Sequence, residues 1–195
     1  MTQNSQEIKQ KDEGALVAAS LANRDAFLDI VKLYEKPLSS YIRRLTKVDE
    51  DELQDILQEI FIKTYLNLND FNHGLKFSSW IYRIAHNHVI SRYRKLKARP
   101  EGNTINIDEE GLKNLADGID ISIQTDLNLA SEEINKILDL LDDKYREVLV
   151  LKFLEEKSYE EISDILKKPS GTVASMINRA KLAFKSEAEK QKIKF

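Results

Sequence analysis

An all-α chain built as two small helical domains is what the sequence predicts, and three observations carry that expectation. Glycine and proline are scarce, 6 and 3 in 195 residues, which disfavours turn-rich β architectures. Apolar residues return at intervals of three and four along most of the chain, the period of a helix. The period lapses over residues 100–125, which hold Pro100, three of the six glycines and scattered Asn and Asp, as expected of an inter-domain linker. The expected organisation is a disordered N-terminus at 1–13, a helical domain at 14–99, the linker at 100–125 and a second helical domain at 126–195.

The elements follow in order. From Ala15 to Thr46 the apolar positions are Leu16, Ala19, Phe27, Ile30, Val31, Tyr34, Leu38, Tyr41, Ile42 and Leu45, read as helices broken near Asn23 and Pro37. A further helix is expected from about Asp51 to Leu68, with Leu53, Ile56, Leu57, Ile60, Phe61, Thr64 and Leu68 on one face. After a loop over Asn69 to Lys76, the next helix begins near Ser78 and runs to about Lys97. Beyond the linker, periodicity resumes from about Asp126 to Leu140. Asp142 or Asp143 then caps a helix that keeps Tyr145, Val148, Leu149 and Phe153 inside. Ser158-Tyr159-Glu160-Glu161 is a capping box, in which the serine and the glutamate satisfy each other's free N–H groups. Lys167 to Pro169 reads as a turn, with Ser170 capping the last helix.

Composition closes several routes. With no cysteine there is no disulfide scaffold, thiolate zinc site or cysteine nucleophile. No apolar run approaches the roughly 18 residues of a membrane span and the first ten residues are polar, so no membrane insertion and a cytoplasmic location are expected. The net charge of -3 conceals an uneven distribution. Residues 72–100 carry 7 basic and 0 acidic side chains, whereas 101–139 carry 2 and 10. A carboxylate-free stretch of this length is a candidate polyanion surface.

Three constellations carry chemistry. In the carboxylate-free stretch, Arg83, Asn87 and Arg94 share a helix face with Trp80, Tyr82 and Tyr93 interleaved, supplying phosphate contacts and rings for stacking. The preceding loop, Asn72-His73-Gly74-Leu75-Lys76-Phe77, suits a pocket for an extruded base; Phe77 and Trp80 would equally serve as core residues. Next, Asp51, Asp55, Gln58 and Glu59 form a polar ridge that could pair with a basic helix on a partner, although carboxylates at a helix start also favour its dipole. Last, the closing helix gathers Val173, Met176, Ile177, Ala180 and Phe184 on one side and Ser175, Asn178, Arg179 and Lys185 on the other. Behind a short turn this suggests a helix-turn-helix, with an ordinary amphipathic helix as the alternative. His86 and His88 lie two residues apart and point to different faces of a helix, so no metal site is expected, nor any cofactor or catalytic centre.

Read in order, these pieces resemble bacterial sigma factors of the extracytoplasmic-function (ECF) type. The resemblance rests on Asp25-Ala26-Phe27, the run from Asp51 to Phe61, Asn69-Asp70-Phe71 and the run from Phe77 to Asn87. In the second domain it rests on Leu141 to Leu149, Ser158 to Ile162, Gly171-Thr172-Val173 and Arg179-Ala180-Lys181. It implies a promoter-specificity subunit with core RNA polymerase and promoter DNA as partners, and an anti-sigma factor as a further one. It implies polymerase binding by Asp51, Asp55, Gln58 and Glu59. Minus-10 binding would fall to Asn72, His73, Gly74, Lys76, Phe77, Trp80, Arg83, Asn87 and Arg94. Minus-35 binding would fall to Ser170, Thr172, Ala174, Ser175, Asn178, Arg179 and Lys181. The acidic linker would thread toward the RNA exit channel. Family members commonly carry basic residues where this chain has Ala174 and Met176, so its minus-35 helix is expected to be short of charge. The runner-up is a helix-turn-helix regulator that binds duplex DNA without polymerase, which would leave the ridge and the aromatic-basic helix without a purpose.

Overall fold

In a computed structural model, residues 13–72, 74–97 and 133–193 are described, and every regular element among them is helical. The expected N-terminal tail up to residue 12, the linker at 100–125 and His73 lie outside the described residues. Helix α1 covers residues 13–22. Asn23 then ends it, its side chain accepting from the Asp25 N–H at 3.0 Å and starting a 3-10 turn, Arg24–Ala26. Glu13, placed by the sequence in the unstructured tail, is helical and buried.

Helix α2, Phe27–Leu45, does not break at Pro37 as the sequence suggested. A mid-helix proline costs about 3 kcal/mol. Here Ile30, Tyr34, Leu38, Tyr41 and Ile42 are all buried on one side of it, and Pro37 itself faces solvent. Burial on both sides of the proline, at about 1.5–3 kcal/mol for each large apolar side chain, outweighs the defect. Helix α3, Glu50–Leu66, is capped by Asp49, whose side chain accepts from the Glu52 N–H at 2.8 Å. It ends two residues short of the expected Leu68 because Leu68–Asp70 tighten into a 3-10 turn that buries Leu68. Helix α4, Phe77–Lys97, closes the first half.

In the second half, α5 covers residues 133–140, and Arg146 closes its end by donating to the carbonyls of Leu138 and Asp139, each at 2.9 Å. Helix α6, Asp143–Leu149, runs on into a π turn, Val150–Leu154. That turn overturns one expectation: Phe153, read as a core residue, is 52% exposed, because the widened turn adds a residue and rotates it off the buried stripe. Helix α7, Tyr159–Leu166, starts at the expected capping box of Ser158 and Glu161. It ends at Lys167 in the left-handed region (φ 53°), where Ser163 Oγ donates to the Lys168 carbonyl at 2.6 Å. Pro169, not Ser170, is the N-cap of α8, Ser170–Lys190.

The two halves are packed together. Helix α4 lies on α7, and α2 touches α6 and the π turn, so one continuous apolar cluster runs from Val17 to Ala180. At this junction, burial and the neighbouring Asp143 push the Glu147 carboxyl up to about 7, against the pull of Lys168 and Arg94. A carboxyl with a raised folded pKa stabilises the fold below its unfolded value and loses that contribution as pH rises through about 7. Glu147→Gln is therefore expected to melt about 2–6 °C above the parent at pH 8, an effect of about 1–2 kcal/mol after solvent screening. The two should melt together near pH 4.5. Thermal unfolding followed by circular dichroism at both pH values checks this, and equal melting at pH 8 would contradict it.

Candidate nucleic-acid and partner interfaces

The loop ahead of α4 is held from below by rings. Phe71, Phe77 and Trp80 pack on one another with centroids 5.3–5.5 Å apart, and Tyr34 meets Phe77 edge-on at 5.6 Å. Phe77 and Trp80 are thus buried in the core and support the loop; neither presents a free face to a base. Asn72 Oδ1 accepts from the Gly74 N–H at 2.9 Å, making a tight turn, and a Cβ at Gly74 would crowd that oxygen at 3.2 Å. Glu13 closes the arrangement: it accepts from Tyr34 Oη at 2.7 Å and from the Ser78 N–H at the start of α4 at 3.3 Å. No local pattern pointed to this role, since Glu13 lies far from α4 in the chain and outside any periodic pattern.

Along α4, Asn87 and Arg94 are exposed and Arg83 half-buried. Lys76 is half-buried and paired with Glu161 of α7 at 3.5 Å. His86 and His88 are both buried and face apart. His86 Nδ1 lies 3.3 Å from Tyr41 Oη, and burial, aided by Arg94 and Lys168, holds it down at about 4 and so neutral at pH 7. His88 contacts Lys63, with Glu59 at 3.5 Å. Among the described residues no cluster could hold a metal ion, and no helix is long and apolar enough to cross a membrane.

The polar ridge of α3 divides. Asp51, Asp55, Gln58 and Glu59 are all exposed. Glu59 turns toward α4, where it and Glu52 meet Arg92 at 3.7 and 3.0 Å. On the other side Gln58 borders an apolar groove of about 670 Å³ between α2 and α3, lined by Leu28, Val31, Leu57, Phe61 and Ile62. Leu66 beside it is 70% exposed. The sequence reading missed this groove, although Ile62 and Leu66, apolar residues outside the core stripe of α3, were its signal.

On α8 the buried face is Val173, Ile177, Ala180 and Ala188. Thr172, Ser175 and Arg179 share one exposed side, whereas the exposed Asn178 and Lys181 share another with the half-buried Ala174, as 100° per residue requires. Ser170 stands exposed at the helix start. Asn178 and Lys181 border a second apolar groove, about 880 Å³, with Leu138, Phe153, Leu154 and Leu182; Leu182 is 70% exposed.

Comparison with known proteins converges on one family. The chain matches the family model for sigma-70 region 2 over residues 30–99 and that for sigma-70 region 4 over residues 131–184. It is 38% identical over 172 residues to the ECF RNA polymerase sigma factor SigW of Bacillus subtilis (strain 168), spanning 85% of this chain and 90% of that one. It is 31% identical over 172 residues to the ECF RNA polymerase sigma-E factor of Escherichia coli (strain K12), spanning 86% and 88%. Among solved structures, CnrH in complex with the cytosolic domain of CnrY has a TM-score of 0.66 at 22% identity, covering 91% of this chain and 97% of that one. The sigma factor RpoE in complex with the anti-sigma factor NepR from Bartonella quintana has a TM-score of 0.60 at 20% identity, covering 84% and 96%. At these identities the two structures show a shared fold.

Removing Glu13 tests how the loop is held. Glu13→Ala leaves the buried Tyr34 hydroxyl and the Ser78 N–H without their acceptor, an expected loss of about 1–3 kcal/mol. Urea denaturation should show it, with faster amide exchange at residues 77–80. A midpoint and exchange pattern equal to the parent's would remove Glu13 from the support of the loop.

Proposed function

The chain belongs to the ECF sigma factors of the sigma-70 family, and we propose how its two halves share the work of promoter recognition. It is a promoter-specificity subunit of RNA polymerase and not an enzyme. The observation that carries the proposed division is that the region 2 match falls on the half with the carboxylate-free helix and the region 4 match on the half with the helix-turn-helix. Residues 14–99 would bind core polymerase and the minus-10 element, 126–195 the minus-35 element, with the acidic linker of 100–125 between them.

Polymerase docking is assigned to Asp51, Asp55 and Gln58 together with the apolar groove beside them, where Leu28 and Ile62 supply burial and the polar rim supplies register. Glu59 contributes by orienting Arg92 and His88 on α4. Minus-10 recognition is assigned to the loop of Asn72, His73, Gly74 and Lys76 and to Arg83, Asn87 and Arg94, with Phe77 and Trp80 as the supports that hold it. Minus-35 recognition is assigned to α8, by Thr172, Ser175 and Arg179 and by Ser170, Ala174, Asn178 and Lys181. An anti-sigma factor is expected as a further partner, supported by the complex of RpoE with the anti-sigma factor NepR in which one similar structure was solved. The working location would be the cytoplasm, where polymerase and DNA are.

Purified core polymerase transcribing genomic DNA with and without this protein tests the function: new start sites are expected, and an unchanged start-site map would overturn it. Asp55→Lys combined with Ile62→Asp should weaken binding to core about tenfold or more with circular dichroism unchanged, and unaltered affinity would mean the groove and ridge are merely solvated. Ala174→Arg should steepen the logarithmic salt dependence of minus-35 duplex binding by about one unit and tighten binding. Titrations at several salt concentrations check this, an unchanged slope placing that side of α8 away from phosphate.

A further inference from the structure

The junction between the two halves is built with a consistent polarity. Glu155, just past the π turn, has a side chain only 7% exposed. It accepts from Arg44 Nη1 of α2 at 2.5 Å and from Tyr82 Oη of α4 at 2.7 Å. Glu161 of α7 meets Lys76 at 3.5 Å, and Asp139 of α5 meets Lys47 at 3.2 Å. In each of the three ion pairs the second half supplies the carboxylate and the first half the cation, and Tyr82 adds a neutral donor from the first half. Burial and Glu155 both push the Tyr82 hydroxyl's pKa up, so it stays a donor, and Lys157 Nζ sits 4.1 Å from the centre of the Tyr82 ring. Lys76, assigned above to the minus-10 surface, is engaged by a carboxylate in this packing.

This packing is incompatible with a spanned promoter. Helix α8 packs on α7 and α7 on α4, so α4 and α8 are at most two helix spacings apart, about 20 Å. Elements at minus-10 and minus-35 are about 25 base pairs apart, about 85 Å of duplex at 3.4 Å per step. The halves must separate for both elements to be held at once.

We propose that Glu155, clamped by Arg44 and Tyr82, is a latch that keeps the free chain closed, with Glu161 thereby held on Lys76, a cation that DNA would otherwise meet. The proposal rests on the promoter reading above. Breaking a buried ion pair from one side leaves an uncompensated charge and shifts the balance toward the open state. If the closed state dominates, apparent DNA affinity is reduced by the open fraction, and opening restores it.

The absence of cysteine allows the full chain to be labelled at Asn69→Cys and Ser186→Cys for energy transfer. Glu155→Gln and Arg44→Ala should each lower transfer efficiency at about 0.1 M salt, and the double variant should go little further than either, as coupled partners do. Binding of the free Glu155→Gln chain to a labelled twenty-nucleotide oligo(dT) strand should tighten about three- to tenfold. Glu156→Gln, the same charge change at the adjacent exposed residue, should leave both readouts at parent values. Parent-like transfer and affinity in Glu155→Gln, or an equal response from Glu156→Gln, would overturn the latch. Initiation by core polymerase with the parent chain separates the two readings: a parent that directs no initiation overturns the promoter reading, whereas initiation with both readouts unmoved in Glu155→Gln overturns the latch alone.

Discussion

Helix α4 must satisfy three surroundings with one circumference. Ile81, Ala85 and Val89 enter the core of the first half, Tyr82 and His86 face the junction with the second half, and Asn87 and Arg94 are left to solvent. A helix offers only about 100° to each such sector, which limits what every position on α4 can be. The lack of carboxylates follows from this crowding. An acidic side chain on the open face would repel a polyanion, and one on the junction face would meet Glu155, Glu147 or Glu161 across a region of low dielectric.

Under the proposed minus-10 reading, the rings beneath the loop would divide stability from recognition between neighbours in sequence. Phe71, Phe77 and Trp80 are too well packed to contact a ligand directly, and that packing lets Asn72 and Gly74 hold a fixed turn at the surface. Side chains that read nucleic acid need such a base, because a loop that also had to order itself would lose binding free energy to entropy.

Much of the fold was legible in the sequence, since helix starts and buried stripes are local patterns. Asn23, Ser158 with Glu161, and the apolar spacing of α8 all stand where the spacing indicated. Pro37 was misread because the cost of a proline is local whereas its compensation, burial of Leu38, Tyr41 and Ile42, comes from tertiary packing. Phe153 was misread because a π turn has no sequence signature in a 3.6-residue period. The candidate site divided in a similar way. The loop, the cations of α4 and the polar face of α8 could be listed from periodicity, but the groove between α2 and α3, the support by Glu13 and the pairing of Glu59 with α4 depend on pairs of residues distant in the chain.

The π turn at Val150–Leu154 has a consequence for how this protein can change over generations. The extra residue rotates Phe153 outward into the groove of the second half, and immediately afterwards the chain delivers Glu155 to Arg44 and Tyr82. Deleting a single codon there would restore regular helix, turning everything downstream by roughly 100° and moving both side chains at once. The groove and the junction are therefore coupled through the length of this turn. A lineage that altered one by length variation in this turn would have to rebuild the other in the same step, whereas substitutions at Phe153 or Glu155 leave each free to drift alone.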